Sequence, residues 1–142
     1  MKTLYTAHAT TIAGREGTSK TDDGTLDLKL SPPGSGKPGT NPEQLFAAGY
    51  SACFGSAVGA AAKMEKIAVS EIKIQADVSL NLDDQTGYSL NVTLNATLGG
   101  VDEATARKLV EKAHTLCPYS KATRGNIEVR LQVNNQDLAK AA

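Results

Sequence analysis

Two hydrophobic periods share this chain. Leu26, Leu28 and Leu30 alternate with polar residues. So do Ile72, Ile74, Ala76, Val78, Leu80 and Leu82, then Leu90, Val92, Leu94, Ala96 and Leu98, and finally Ile127, Val129, Leu131 and Val133. A period of two places each set on one face of a strand. Asp83-Asp84-Gln85-Thr86-Gly87 turns the chain between the second set and the third, predicting a long hairpin with one buried face. Threonines and apolar residues alternate more loosely from Lys2 to Ala13, and a short strand is expected over Thr18–Thr21. Gly14-Arg15-Glu16-Gly17 and Asp22-Asp23-Gly24 are turn signals, so an N-terminal sheet of three strands follows.

Elsewhere the spacing becomes helical. A central helix is predicted from Pro42 to about Lys66. Asn41 is a good N-cap, Pro42 falls where its missing N–H costs nothing, and Gln44 stands three residues after the cap, as in a capping box. Ala48, Ala52, Gly55, Gly59 and Ala62 recur at steps of four and three, a stripe on which another backbone could lie close. Gly lowers helix stability by roughly 1 kcal/mol relative to Ala, so several glycines here imply that packing outweighs propensity. A second helix places Ala106, Leu109, Val110, Ala113, Leu116 and Cys117 on one face. Asp102 can cap it, Glu103 suits its positive end, and Pro118 is expected to stop it. Ser31 to Thr40, with three prolines and three glycines, reads as a loop, either a connector or a lid. The tail after Asn134 is polar. Strands, helix, strands, helix, strand is an α+β order, expected as one domain over residues 1–142.

Composition narrows the function. The chain has 142 residues, 40% of them hydrophobic, with 15 Lys+Arg against 15 Asp+Glu. No basic run marks a nucleic-acid surface. The segment from Leu45 to Ala62 comes nearest to a membrane span, but its glycines, alanines and Tyr50 argue against one. The N-terminus lacks the apolar run of a signal peptide, so the cytoplasm is the expected compartment. There a cysteine pair is catalytic, redox-active or simply buried rather than a permanent staple.

The candidates for chemistry are few. Cys53 and Cys117 are not a Cys-x-x-Cys pair, and with two scattered histidines they do not supply four zinc ligands. Each is either a small core residue or a working thiol. His114 lies one helical turn before Cys117 and is either a partner for it or a surface histidine near its helix's negative end. His8 has no evident partner. Glu43 and Cys53 on one unbroken helix would be about 15 Å apart along its axis. They cooperate only if the helix breaks or if Glu43 serves the Cys53 of a second copy. Arg15 and Arg124 read, by themselves, as solvated charges in turns.

Longer motifs add a resemblance. The run Thr40-Asn41-Pro42-Glu43-Gln44-Leu45-Phe46-Ala47-Ala48-Gly49-Tyr50-Ser51-Ala52-Cys53-Phe54 resembles the first cysteine motif of the Ohr branch of the OsmC/Ohr family, the organic hydroperoxide resistance proteins. Ala113-His114-Thr115-Leu116-Cys117-Pro118-Tyr119-Ser120, followed by Ala122-Thr123-Arg124-Gly125-Asn126-Ile127, resembles the second. The Arg15 turn with Asp22-Asp23-Gly24 resembles the N-terminal element. This resemblance implies a thiol-dependent peroxidase for organic hydroperoxides, with Cys53 as the peroxidatic and Cys117 as the resolving cysteine. Arg15 and Glu43 would be the polar pair beside the reactive thiolate, and Phe46 and Phe54 are candidates to bind substrate. No metal and no cofactor are implied. The implied fold is an intertwined homodimer with two mixed-subunit, antiparallel-rich sheets around a pair of central helices. The implied reductant is a lipoylated protein or another dithiol. A non-catalytic hydroperoxide sensor or a lipid-binding protein could use the same pocket.

Overall fold

A computed structural model describes residues 1–138; the end of the polar tail, residues 139–142, lies outside the described residues. The chain divides into two compact units, residues 1–45 and residues 46 onward.

The first unit holds three antiparallel strands, β1 (Ala9–Ile12), β2 (Thr18–Thr21) and β3 (Asp27–Lys29), in that order across the sheet. Thr10 pairs with Lys20, and Ser19 with Leu28. The strand expected from Lys2 begins only at Ala9. A strand needs a partner, and β2 is four residues long before Asp22-Asp23-Gly24 turns away. The last rung is the Asp22 N–H donating to the His8 carbonyl at 3.2 Å. Asp23 stitches that turn, accepting from the Thr21 hydroxyl and the Thr25 N–H. The Arg15 turn is a short 3-10 helix, Gly14–Glu16, entered through Ala13 and Gly14 with φ of 60° and 54°. Gly17 closes it where no side chain fits, since a Cβ would lie 1.8 Å from the Ile12 carbonyl oxygen. Only Leu30 and Ser31 are buried in this unit, and Ile12 is 68% exposed.

The central helix α1 runs unbroken over Pro42–Met64. Its start is as the sequence predicts, with the Gln44 N–H donating to Asn41 Oδ1 at 2.9 Å. The Gln44 side chain does not complete a capping box; its Oε1 accepts a hydrogen bond from the Thr40 hydroxyl instead. Tyr50, Phe54, Ala57, Val58, Ala61 and Ala62 form the buried face. The expected small-residue stripe is divided. Ala48 and Ala52 are exposed, while Gly55 and Gly59 lie against Ile74 and Ile72. By length and composition alone α1 is apolar enough to cross a membrane, more so than its glycines suggest. Its large side chains are packed in the core of the second unit.

The second sheet has the order β4-β5-β6-β7. Strands β4 (Glu71–Asp83) and β5 (Gly87–Gly99) are the expected hairpin, with Ile74 opposite Ala96. Its buried face is complete only on β5, where Val92, Leu94, Ala96 and Leu98 are covered. On β4, Ile72, Leu80 and Leu82 are 37%, 44% and 64% exposed. Strand β6 (Val129–Val133) pairs parallel to β5, which requires a crossover. Helices α2 (Glu103–Leu116) and α3 (Pro118–Thr123) supply it. Asp102 caps α2 as expected, accepting from the Thr105 N–H at 2.8 Å. Pro118 does not simply stop the helix. The residue before a proline is driven out of the helical region, so α2 ends at Leu116, yet proline suits a first helical position and α3 begins at once. The two-residue β7 (Gln136–Asp137) follows a tight turn through Asn134 and Asn135, both at positive φ.

Candidate active site

The α2–α3 junction carries Cys117. It is the single residue between the two helices, with φ −62° and ψ 123°. Its N–H donates to the Ala113 carbonyl at 2.8 Å, and its carbonyl accepts from the Lys121 N–H at 3.0 Å. One residue is therefore bonded into both helices, and its side chain is fully buried. Cys53 projects from the fourth turn of α1 and is half-buried. The two thiols are free, and Cys117 Sγ lies 3.5 Å from Cys53 Sγ across 64 residues of sequence. A disulfide of about 2.05 Å would need the sulfurs to close by roughly 1.5 Å.

This environment does not by itself favour a thiolate. Burial pushes the Cys53 pKa up, the Tyr119 N–H opposes that rise, and the neighbouring Cys117 thiol adds to it. Tyr119 is a residue the sequence reading passed over. The signal for it was Pro118 as a helix start, which fixes the direction of the side chains just after Cys117. Its ring lies over α1 at Gly49, where a Cβ would meet the Tyr119 hydroxyl at 2.8 Å and ring carbons at 3.3 Å. The ring sits 5.6 Å from that of Tyr50 and 6.0 Å from that of Phe46. On its other side a cavity of about 600 Å³ is lined by Phe46, Tyr119, Leu90, Ile127 and Tyr88. Phe46 therefore faces an open apolar groove. Phe54 has no exposed surface and packs edge-on to Tyr50, behind the site.

His114 is not a surface histidine. It is half-buried, with Nδ1 2.9 Å from the Ser120 hydroxyl, and burial followed by the nearby Arg124 charge lowers its pKa. Arg124 is not simply solvated either, since its guanidinium donates to the His114 carbonyl at the end of α2. His8 contributes its carbonyl to the first sheet. Among the described residues no three His, Cys, Asp or Glu side chains gather as a metal site.

In the first unit, Arg15 and Glu43 meet as a fork. Nη1 and Nη2 of Arg15 donate to the two carboxylate oxygens at 2.8 and 2.6 Å. The guanidinium holds the Glu43 carboxyl below its ordinary pKa. Glu43 also sits in the first turn of α1, where a negative charge is favoured.

Residues 34–132 match the family of OsmC-like proteins. The chain belongs to the OsmC/Ohr family. It is 49% identical over 135 residues to the organic hydroperoxide resistance protein of Xanthomonas axonopodis pv. citri, covering 92% of this chain and 94% of that protein. Among solved structures, this OsmC-family chain is similar to the organic hydroperoxide resistance protein OhrB of Bacillus subtilis, with 45% identity and a TM-score of 0.88 over 93% of this chain and 100% of the other. It is likewise similar to an organic hydroperoxide resistance protein from Legionella pneumophila, with 45% identity and a TM-score of 0.89 over 93% and 98%. The described residues form two sheets and three α-helices, a mixed α+β arrangement that matches these structures.

Proposed function

We propose that this protein is a thiol-dependent peroxidase that reduces organic hydroperoxides to alcohols. The observation that carries the reading is the 3.5 Å approach of Cys53 and Cys117, one sulfur half-exposed and the other sealed behind it. The names of the relatives at 46–49% identity supply the substrate class. In the first step the Cys53 thiolate attacks the outer peroxide oxygen. The O–O bond breaks, the outer oxygen stays on Cys53 with its hydrogen as a sulfenic acid, and the alkoxide takes a proton from water and leaves as the alcohol. In the second, the Cys117 sulfur attacks the Cys53 sulfur, the S–O bond breaks, and water carries off the hydroxyl and the thiol proton. The resulting disulfide is reduced by exchange with a dithiol, for which a lipoyl group on a partner protein is the proposed source.

Only the thiolate is nucleophilic, and burial works against it here, so a nearby cation would favour the reactive form. The Arg15–Glu43 fork is the proposed source. Glu43 repels a thiolate directly, so its proposed role is to fix the guanidinium through the two-bond fork, and the positive charge would stabilise sulfur and peroxide oxygen. Because α1 is unbroken, the ten-residue step from Glu43 to Cys53 spans about 15 Å, which favours delivery to the Cys53 of a second copy. Other features support an intertwined homodimer in which the whole chain acts as one domain. The three-stranded sheet of the first unit buries almost nothing, and three strands are stable alone only with an apolar face to bury or a helix to pack on. Strand β4 presents an open edge of thirteen residues with Leu80 and Leu82 uncovered. Mixed-subunit sheets would cover both. Phe46 and the groove beside Tyr119 would take the hydrocarbon part of the substrate.

The test is steady-state turnover in the cytoplasmic thiol range. Fatty-acid and cumene hydroperoxides are to be reduced many times per chain with dihydrolipoyl reductant, and more efficiently than hydrogen peroxide. A protein that oxidises once and stops is a sensor and not an enzyme.

A further inference from the structure

A chain of hydroxyls crosses the core beside the two thiols. Tyr50, fully buried, places its Oη 3.0 Å from the Ser120 hydroxyl and 3.2 Å from that of Thr123. Ser120, also fully buried, is 2.9 Å from His114 Nδ1. The arrangement along the elements is regular. Tyr50 stands one turn before Cys53 on α1, His114 one turn before Cys117 on α2, and Ser120 one turn after Cys117 on α3. The bonds therefore join all three helices around the one residue that α2 and α3 do not hold within a helix. Arg124, bonding the last turn of α2 from the end of α3, braces the same junction from outside.

Such a chain is costly to keep among Phe54, Leu109 and Val110. Each of its groups would destabilise the core if left unpaired. No buried polar side-chain atom among the described residues lacks a partner. Apolar packing tolerates small slips, whereas hydrogen bonds are directional and fix geometry. We infer that Tyr50, Ser120 and His114 are positioning residues that hold the α2–α3 junction so that the Cys117 sulfur stays within closing distance of Cys53. This rests on the proposed role of Cys117 as the resolving thiol.

The test measures the equilibrium constant of the Cys53–Cys117 disulfide in a buffer of reduced and oxidised dithiothreitol, with no peroxide present. Tyr50→Phe removes one oxygen and keeps the ring, and Ser120→Ala removes the central hydroxyl. Each is expected to disfavour the disulfide about 3- to 10-fold, the range of one lost hydrogen bond. The double variant is expected to lose little more than either alone, since both cut one chain. Val58→Ala, a core truncation away from the chain, is expected to lower the melting temperature and leave the disulfide constant unchanged. If Tyr50→Phe and Ser120→Ala behave like Val58→Ala, the residues are merely structural and the inference is overturned. Failure of the unaltered protein to form the disulfide in this buffer overturns it too. A disulfide that forms in the buffer but not with cumene hydroperoxide contradicts the peroxidase reading alone.

Discussion

Two pairs of residues carry the proposed chemistry, and they rest on different support. Cys53 and Cys117 are held by a core: Tyr50, Phe54, Leu109, Val110 and Ala113 are all fully buried on the helices that carry Cys53 and flank Cys117. Arg15 and Glu43 are held by each other. Arg15 is 45% exposed, and its unit buries only Leu30 and Ser31. The thiols therefore have fixed geometry and an unfavourable charge environment, while the ion pair has charge to give and little packing to fix where it is given. In the proposed homodimer a second copy of the chain would supply what each lacks.

The sharpest way to break this comparison is to remove the sulfurs in turn. Cys53→Ser is expected to abolish hydroperoxide consumption. Cys117→Ser is expected to keep one fast turnover and then accumulate sulfenic and sulfinic acid, read by intact mass. Equal loss of the first turnover in both would reverse the assignment of roles. Next comes the charge. Arg15→Ala is expected to raise the pH midpoint of Cys53 alkylation by about 1–3 units, the usual effect of a close opposite charge. An unchanged midpoint would mean that the fork serves only its own unit.

Packing sharpens the contrast further. Leu109→Ala, at a fully buried position, is expected to lower stability by about 2–5 kcal/mol. Ile12→Ser, at a residue mostly open in the single chain, is expected to act instead on association, shifting sedimentation toward monomer. A dimer indifferent to Ile12 would place the interface elsewhere. Gly49→Ala drives a methyl into the Tyr119 ring, and a loss of about 1–3 kcal/mol is expected by thermal denaturation.

The smallest effect is on pH stability. Arg15 depresses the Glu43 pKa, so the fork's contribution is present above the unfolded carboxylate value and disappears as pH falls through the lower folded value. With Arg15 half-exposed, that contribution is at most about 1 kcal/mol. Glu43→Gln should remove this acid-range slope from a stability profile and leave the neutral range nearly flat.

The elements with a clean period were legible in the sequence. The hairpin of β4 and β5, the helices over Pro42–Met64 and Glu103–Leu116, and the caps at Asn41 and Asp102 follow from local rules. What escaped depends on partners distant in sequence. The strand at Lys2 was read from alternation, but β2 offers no rung beyond Ala9 other than the His8 carbonyl. Helix α3 is hidden in the sequence because Pro118 signals the stop of one helix as readily as the start of the next. Alternation on β4 predicts a buried face that the single chain leaves exposed, because alternation tells which residues share a face and not what covers it. At the site, Cys53, Cys117, Arg15 and Glu43 came from motifs. Spacing alone could not bring residues 53 and 117 together, and the places of Tyr50, Tyr119 and Ser120 emerged only from the packing of α3 on α1.

The most direct measurement is the intact mass of the reduced protein after one equivalent of cumene hydroperoxide. Loss of two hydrogens per chain, with Cys53 and Cys117 recovered in one linked peptide, is the expected result. Full recovery of two alkylatable thiols, or sulfinic acid on Cys53 with Cys117 untouched, would contradict the pairing on which the proposed function stands.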